Sequence, residues 1–188
     1  MVYSQIPNII TVARLAMIPL LILLLREQDY RSALMIFFIA GLSDGLDGFI
    51  ARRYRLESHL GGVLDPLADK LLMISTFVTL TLLGHIEFWL LLLVVSRDFL
   101  IIGGYLVVTS QTGAVKMEAS IYSKLNTVMQ IVLVMAILFE QAQLFRVPLL
   151  VDFLVYSVLI TTVASGAQYY WAWIIKKRVE PLSEQSKD

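Results

Sequence analysis

GLSDGLDGFIARRYRLESHLGGVLDPLADK, residues 41–70, sets four carboxylates inside otherwise apolar sequence. Asp44 and Asp47 are three residues apart, and Asp65 and Asp69 four apart, so each pair lies on one face of a helix. A short loop between the pairs predicts two antiparallel helices whose four carboxylates converge. Carboxylates at membrane depth are costly and face a polar cavity or a partner. Four together repel one another and take up protons unless something neutralises them. A hard divalent cation with oxygen ligands is the simplest neutraliser. A pair of such ions can clamp the attacking and leaving oxygens of a displacement at phosphorus. Gly45, Gly48, Gly61 and Gly62 leave little bulk around the carboxylates, so that a phosphate ester can approach the backbone closely. On residue types alone two other readings stay open. The aspartates could be ion-pair partners for Arg14, Arg52, Lys70 and Arg97 in a structural bundle, or a path for cations or protons.

Outward from this stretch the chain is strongly apolar. Of its 188 residues 58% are hydrophobic, and mean hydropathy is +0.77. A membrane helix needs about 20 mostly apolar residues. Six stretches meet that need: Asn8 to Leu25, Arg31 to Tyr54, Leu60 to Leu83, Ile86 to Thr109, Ser120 to Phe139 and Pro148 to Ile175. The expected fold is all-α and polytopic, with a six-helix transmembrane domain over 1–175 and a polar tail over 176–188. Zero net charge gives no reason to expect nucleic acid as a partner, and the absence of cysteine excludes disulfides and thiolate metal sites. The first apolar run contains Arg14 and lacks a small-residue cleavage pattern, so it does not read as a signal peptide. Direct insertion into a bacterial inner (cytoplasmic) membrane is expected. Lysine and arginine favour one side: Arg52, Arg53 and Arg55, then Lys116 and Lys124, then Lys176, Lys177, Arg178 and Lys187. Arg26, Arg31 and Arg146 lie on the other. This bias predicts cytoplasmic termini and a cytoplasmic active site.

The spacing Asp44-x2-Asp47-Gly48-x2-Ala51-Arg52-x8-Gly61-x3-Asp65-x3-Asp69 matches, position for position, the signature of the CDP-alcohol phosphatidyltransferase family. Six membrane helices also fit that family, so the resemblance covers nearly the whole chain. It implies that Asp44, Asp47, Asp65 and Asp69 bind Mg2+ or Mn2+, as two ions, and that Asp69 is also the general base for the acceptor hydroxyl. It implies a CDP-activated lipid donor, most often CDP-diacylglycerol, with CMP leaving, and a homodimer. Gly48, Arg52, Ser58 and Gly61 fall where family members hold the CDP portion. Arg52 has the planar fork of donors suited to phosphate oxygens. Pro7-Asn8-x2-Thr11-x2-Arg14 resembles the opening of the family's bacterial phosphatidylglycerophosphate synthases and its cardiolipin synthases. Asn8 and Thr11 share a helix face and could contact the nucleotide, or Asn8 could simply cap the first helix.

The acceptor is read from helices four to six. Both subfamilies carry Asp-Pro-Leu-Ala-Asp-Lys and an arginine followed by an acid, here Arg97-Asp98. Phosphatidylglycerophosphate synthases typically add an arginine eight residues after the first and a Gly-Lys-x-Lys-Thr in helix five. Here those positions hold Tyr105 and Ser123-Lys124-Leu125-Asn126-Thr127. Eukaryote-type cardiolipin synthases typically read Ser-Lys-x-Asn-Thr-x-x-Gln, which Ser123 to Gln130 matches, and Thr-Thr-x-Ala-Ser, to which the stretch from Thr161 is similar. This resemblance implies phosphatidylglycerol as the acceptor, with Arg97, Lys124 and Asn126 contacting it. A dianionic monoester such as glycerol-3-phosphate calls for more cations. Adjacent on a helix, Arg97 and Asp98 are expected to point apart. Trp89, Trp171, Trp173, Tyr169 and Tyr170 fit interfacial belts facing membrane lipid.

Overall fold

The structure is a computed structural model that describes the backbone of residues 6–54, 61–112, 121–146 and 148–179, and the side chains of 12–43, 67–104, 121–146 and 148–171. These residues form α1 (Ile6–Arg26), α2 (Tyr30–Tyr54), α3 (Gly61–Leu82), α4 (Phe88–Thr112), α5 (Ile121–Gln141) and α6 (Pro148–Val179), with no strand among them. Each apolar stretch of the sequence has become one helix, with ends within a few residues of those expected. The difference is largest at α6, which continues past Ile175 through the first cations of the expected tail.

The chain divides into two compact units. The first comprises residues 1–88 and 134–151, and in it α1 packs against both α3 and α2. Arg14, Leu21 and Leu25 form the buried stripe of α1, at helical spacing. Ala68, Leu72, Thr76 and Leu80 form that of α3. The hydroxyls of Thr76 and Thr79 donate to carbonyls one turn back, Leu72 and Ser75, which satisfies them inside an apolar surrounding. The second unit comprises residues 89–133 and 152–188. Its stripes run Leu90, Val94, Arg97 on α4, Asn126, Gln130, Leu133 on α5, and Leu154, Val158, Thr162, Ser165 on α6. Each is apolar over one part of its length and polar over the rest.

Large apolar side chains also face outwards. Phe38, Leu82, Phe99, Leu100, Leu149 and Phe153 are all more than half exposed. So many exposed apolar groups indicate a surface that is covered by something other than water. Among the described residues two segments are long and apolar enough to cross a membrane, Ile121–Gln141 and Pro148–Trp171. Tyr30–Ser43 is a shorter apolar stretch.

Three helix ends close in the same way. Gln28, Gly84 and Gln143 have positive φ, at 60°, 79° and 56°. The N–H of each bonds a carbonyl three residues back, and the next N–H bonds one five residues back: Asp29 to Leu24, His85 to Leu80, Leu144 to Phe139. This is the Schellman closure, which satisfies the last carbonyls of a helix and turns the chain sharply. Asp29 then caps α2, accepting from the Ser32 N–H at 3.2 Å. Hydrogen bonds from Ser32 hold the Asp29 carboxyl below its ordinary range. Tyr30 Oη and His85 Nε2 lie 2.8 Å apart, tying the start of α2 to the α3–α4 turn, and Arg31 Nε donates to the Ala142 carbonyl.

Glutamine in a left-handed conformation is strained where glycine is not. Gln143→Gly should therefore stabilise the protein by about 1 kcal/mol. Gly84→Ala should destabilise it by about 1 kcal/mol, from backbone strain alone, since nothing lies within 4 Å of the added carbon. Thermal unfolding in one detergent checks both. Burial pushes the His85 imidazole below its ordinary value. The folded state then prefers neutral His85, so its contribution is present above the unfolded pKa and is lost as pH falls through the folded one. The melting temperature should fall on acidification from neutral pH, and His85→Gln should flatten that fall.

Candidate active site

Asp69 lies on α3, one turn beyond Asp65, and faces α1. Arg14 Nη1 donates to Asp69 Oδ1 at 2.6 Å. The arginine side chain is 1% exposed and the aspartate 42%, so the pair joins a buried cation to a carboxylate that outside groups can reach. An arginine inside an apolar helix needs such an anion, because the bare charge is costly to bury. This pairing bears out one part of the ion-pair expectation, that Arg14 meets one of the aspartates.

Asp44 and Asp47 sit in the second half of α2, and Asp65 in the first turns of α3. Their side chains lie outside the described residues, as do those of Asn8, Thr11, Gly48, Arg52 and Gly61 within their helices; Ser58 lies outside them altogether. No group of three metal-ligating side chains forms among the described residues. The donor set still suits a hard divalent cation. All four groups are carboxylates on two helices joined by a short segment, and Asp69 is accessible. Asn8 falls within α1, which begins at Ile6, so it is not the residue that precedes the first turn and the capping expectation is set aside.

The second unit holds a denser polar cluster. Arg97, 4% exposed, donates from Nε to Ser165 Oγ at 3.2 Å and from Nη2 to the same atom at 2.6 Å. Nη2 also donates to Ser123 Oγ at 2.6 Å, and Nη1 to Asp98 Oδ1 at 2.7 Å. Arg97 and Asp98 thus do not point apart as their adjacency suggested. The arginine side chain is long enough for Nη1 to meet its neighbour's carboxylate while Nε and Nη2 reach α5 and α6. Three residues after Ser123 on α5, Asn126 is fully buried. Its Oδ1 accepts from the hydroxyls of Thr161 and Thr162, both at 2.9 Å. Its Nδ2 has no hydrogen-bond partner. Lys124 is exposed on α5. Sequence reasoning gave no role to Ser123, Thr161, Thr162 or Ser165. Their signal was membership of the two matched stretches, Ser123 to Gln130 and the one from Thr161, and Thr162 and Ser165 also continue the buried spacing of Leu154 and Val158.

A family model described as CDP-alcohol phosphatidyltransferase matches residues 4–175. The chain belongs to the CDP-alcohol phosphatidyltransferase family. The chain is 33% identical over 181 residues to the cardiolipin synthase (CMP-forming) of Rattus norvegicus and 34% to that of Homo sapiens, covering 88% of this chain and 60% of each relative. It therefore spans about three fifths of the length of these two relatives. It is 32% identical over 183 residues to the CDP-diacylglycerol–glycerol-3-phosphate 3-phosphatidyltransferase of Bacillus subtilis, covering 88% of this chain and 93% of that protein. Phosphatidyltransferases of this family generally depend on a divalent metal.

The Arg14–Asp69 pair is asymmetric, and the asymmetry is measurable. Asp69→Leu takes one carboxylate from a buried guanidinium and should cost about 2 kcal/mol. Arg14→Met leaves a carboxylate that water reaches and should cost clearly less. Unfolding of the two variants and of the double variant in the same detergent checks the order. The double variant should be more stable than Asp69→Leu alone.

Proposed function

We propose that this protein is a metal-dependent enzyme of a six-span membrane domain that transfers a phosphatidyl group from CDP-diacylglycerol to a hydroxyl of phosphatidylglycerol, giving cardiolipin and CMP. The four carboxylates hold Mg2+ or Mn2+, which when bound neutralises the pyrophosphate of the donor and stabilises the leaving CMP. Asn8, Thr11, Gly48, Arg52, Ser58 and Gly61 hold the CDP portion. Asp69 takes the proton of the acceptor hydroxyl as that oxygen forms its bond to the phosphatidyl phosphorus and the bond to CMP breaks. Arg14 fixes one oxygen of Asp69. Arg97, Lys124 and Asn126 meet the acceptor. The site lies on the cytoplasmic side of the inner membrane, where the lysine and arginine excess lies, in a homodimer.

The observation that carries the choice of acceptor is Asn126. Its amide oxygen accepts from two threonine hydroxyls in a fully buried position. Phosphatidylglycerophosphate synthases typically hold a lysine there, and its charge is absent from this buried cluster. Position 126 holds a neutral amide, and the cation suited to a phosphate monoester is missing. The second reading, glycerol-3-phosphate as acceptor, is supported by similarity to the Bacillus subtilis protein over nearly its full length.

Purified protein given CDP-diacylglycerol, magnesium and phosphatidylglycerol should release CMP and form cardiolipin, and chelation of the metal should stop it. Asp69→Asn should lower turnover by about 100-fold or more while donor binding partly survives. CMP release with glycerol-3-phosphate alone would move the assignment to the second reading. No release with any acceptor would point to an ion-translocating or structural role for the aspartates.

A further inference from the structure

Arg97 presents an unusual geometry for a phosphate-binding arginine. A guanidinium has five N–H donors, and it grips a phosphate bidentately in two ways: side-on through Nε and Nη2, or end-on through Nη1 and Nη2. Both ways need an N–H of Nη2. Here Nη2 has two donors and two short contacts, to Ser123 Oγ and Ser165 Oγ, each at 2.6 Å. Nε is also directed at Ser165, and one Nη1 donor at Asp98. One N–H of Nη1 remains for a ligand. The Asp98 carboxylate, 11% exposed and 2.7 Å from Nη1, offsets the charge of the guanidinium.

We propose that Ser123 and Ser165 are selectivity residues that close the phosphate fork of Arg97, so that the chain accepts a monoanionic phosphodiester lipid and rejects a phosphate monoester. This rests on the acceptor reading above and adds a cause to it. A dianionic monoester is held well by paired N–H donors and net positive charge. A buried arginine with its fork engaged and its charge offset supplies neither, and rejecting a ligand by leaving its polar groups unmatched is an effective form of selectivity. The two serines come from different helices, α5 and α6, and each is one end of a polar run whose other members, Asn126 with Thr161 and Thr162, bind one another. The α5–α6 amide–threonine contact lies one turn from the two serines on their helices and helps hold both at Nη2. A glycine at position 123, as in the Gly-Lys-x-Lys-Thr pattern, has no hydroxyl with which to engage Nη2.

The test compares purified wild type with Ser123→Gly, Ser165→Ala and the double variant, in vesicles of fixed composition containing CDP-diacylglycerol and magnesium. Phosphatidylglycerol and glycerol-3-phosphate are supplied separately. In the double variant kcat/KM for glycerol-3-phosphate relative to phosphatidylglycerol should rise by about tenfold, mainly through a lower KM for the monoester. Adding Arg97→Met to the double variant should abolish the gain, since the gain acts through the freed guanidinium. If the double variant is lost to misfolding, Ser123→Gly alone should shift the ratio in the same direction by a smaller factor. A ratio unchanged in the variants, with wild type still preferring phosphatidylglycerol, overturns this inference and leaves the acceptor reading standing. A wild type that prefers glycerol-3-phosphate overturns both.

Discussion

A cation buried in an apolar helix must be met by an anion or by enough acceptors to replace water. Two arginines of this chain are under that constraint, and much of the local structure follows from it. Arg14 meets Asp69 across 55 residues of sequence, which ties α1 to α3 at the level of the carboxylate expected to do chemistry. Arg97 meets Asp98, Ser123 and Ser165, which ties α4, α5 and α6 together at one level. In both places the side chain that satisfies the charge is also one to which the proposed function gives a role. Structural need and chemical use are not alternatives here, although residue types alone set them against each other.

The two pairings differ in what they leave accessible. At Arg14 the cation is sealed and its carboxylate partner is open, as the proposed proton exchange with a substrate requires. At Arg97 both partners are nearly sealed, and the donors that would grip a phosphate are turned to protein hydroxyls. The first arrangement keeps a base ready for use. The second restrains a cation that would otherwise bind any phosphate strongly. The proposed selectivity for a weakly charged acceptor rests on that restraint.

The helices were legible in the sequence because apolar runs of membrane length have few other solutions, and all six fall within a few residues of expectation. The family was legible because Asp44, Asp47, Gly48, Ala51, Arg52, Gly61, Asp65 and Asp69 keep a fixed spacing along two helices. What was not legible depends on tertiary pairing. Residue types offered Arg14 an aspartate but not which one, and nothing in the local sequence couples Asn126 to Thr161 and Thr162. The expectation that Arg97 and Asp98 diverge treated side chains as short spokes and ignored the reach of arginine. The left-handed turns at Gln28 and Gln143 were not legible because glycine, the usual marker, stands in one of the three turns, at Gly84.

The proposed chemistry joins the acceptor oxygen directly to the donor's lipid phosphorus. Phosphatidylglycerol labelled with oxygen-18 in its terminal headgroup hydroxyl, incubated with the purified protein, CDP-diacylglycerol and magnesium, tests this in one mass spectrum. Cardiolipin that carries the label, together with unlabelled CMP, is the predicted result. Labelled phosphatidylglycerol left unconsumed, while glycerol-3-phosphate added to the same mixture is converted to phosphatidylglycerophosphate, is the result that would contradict it.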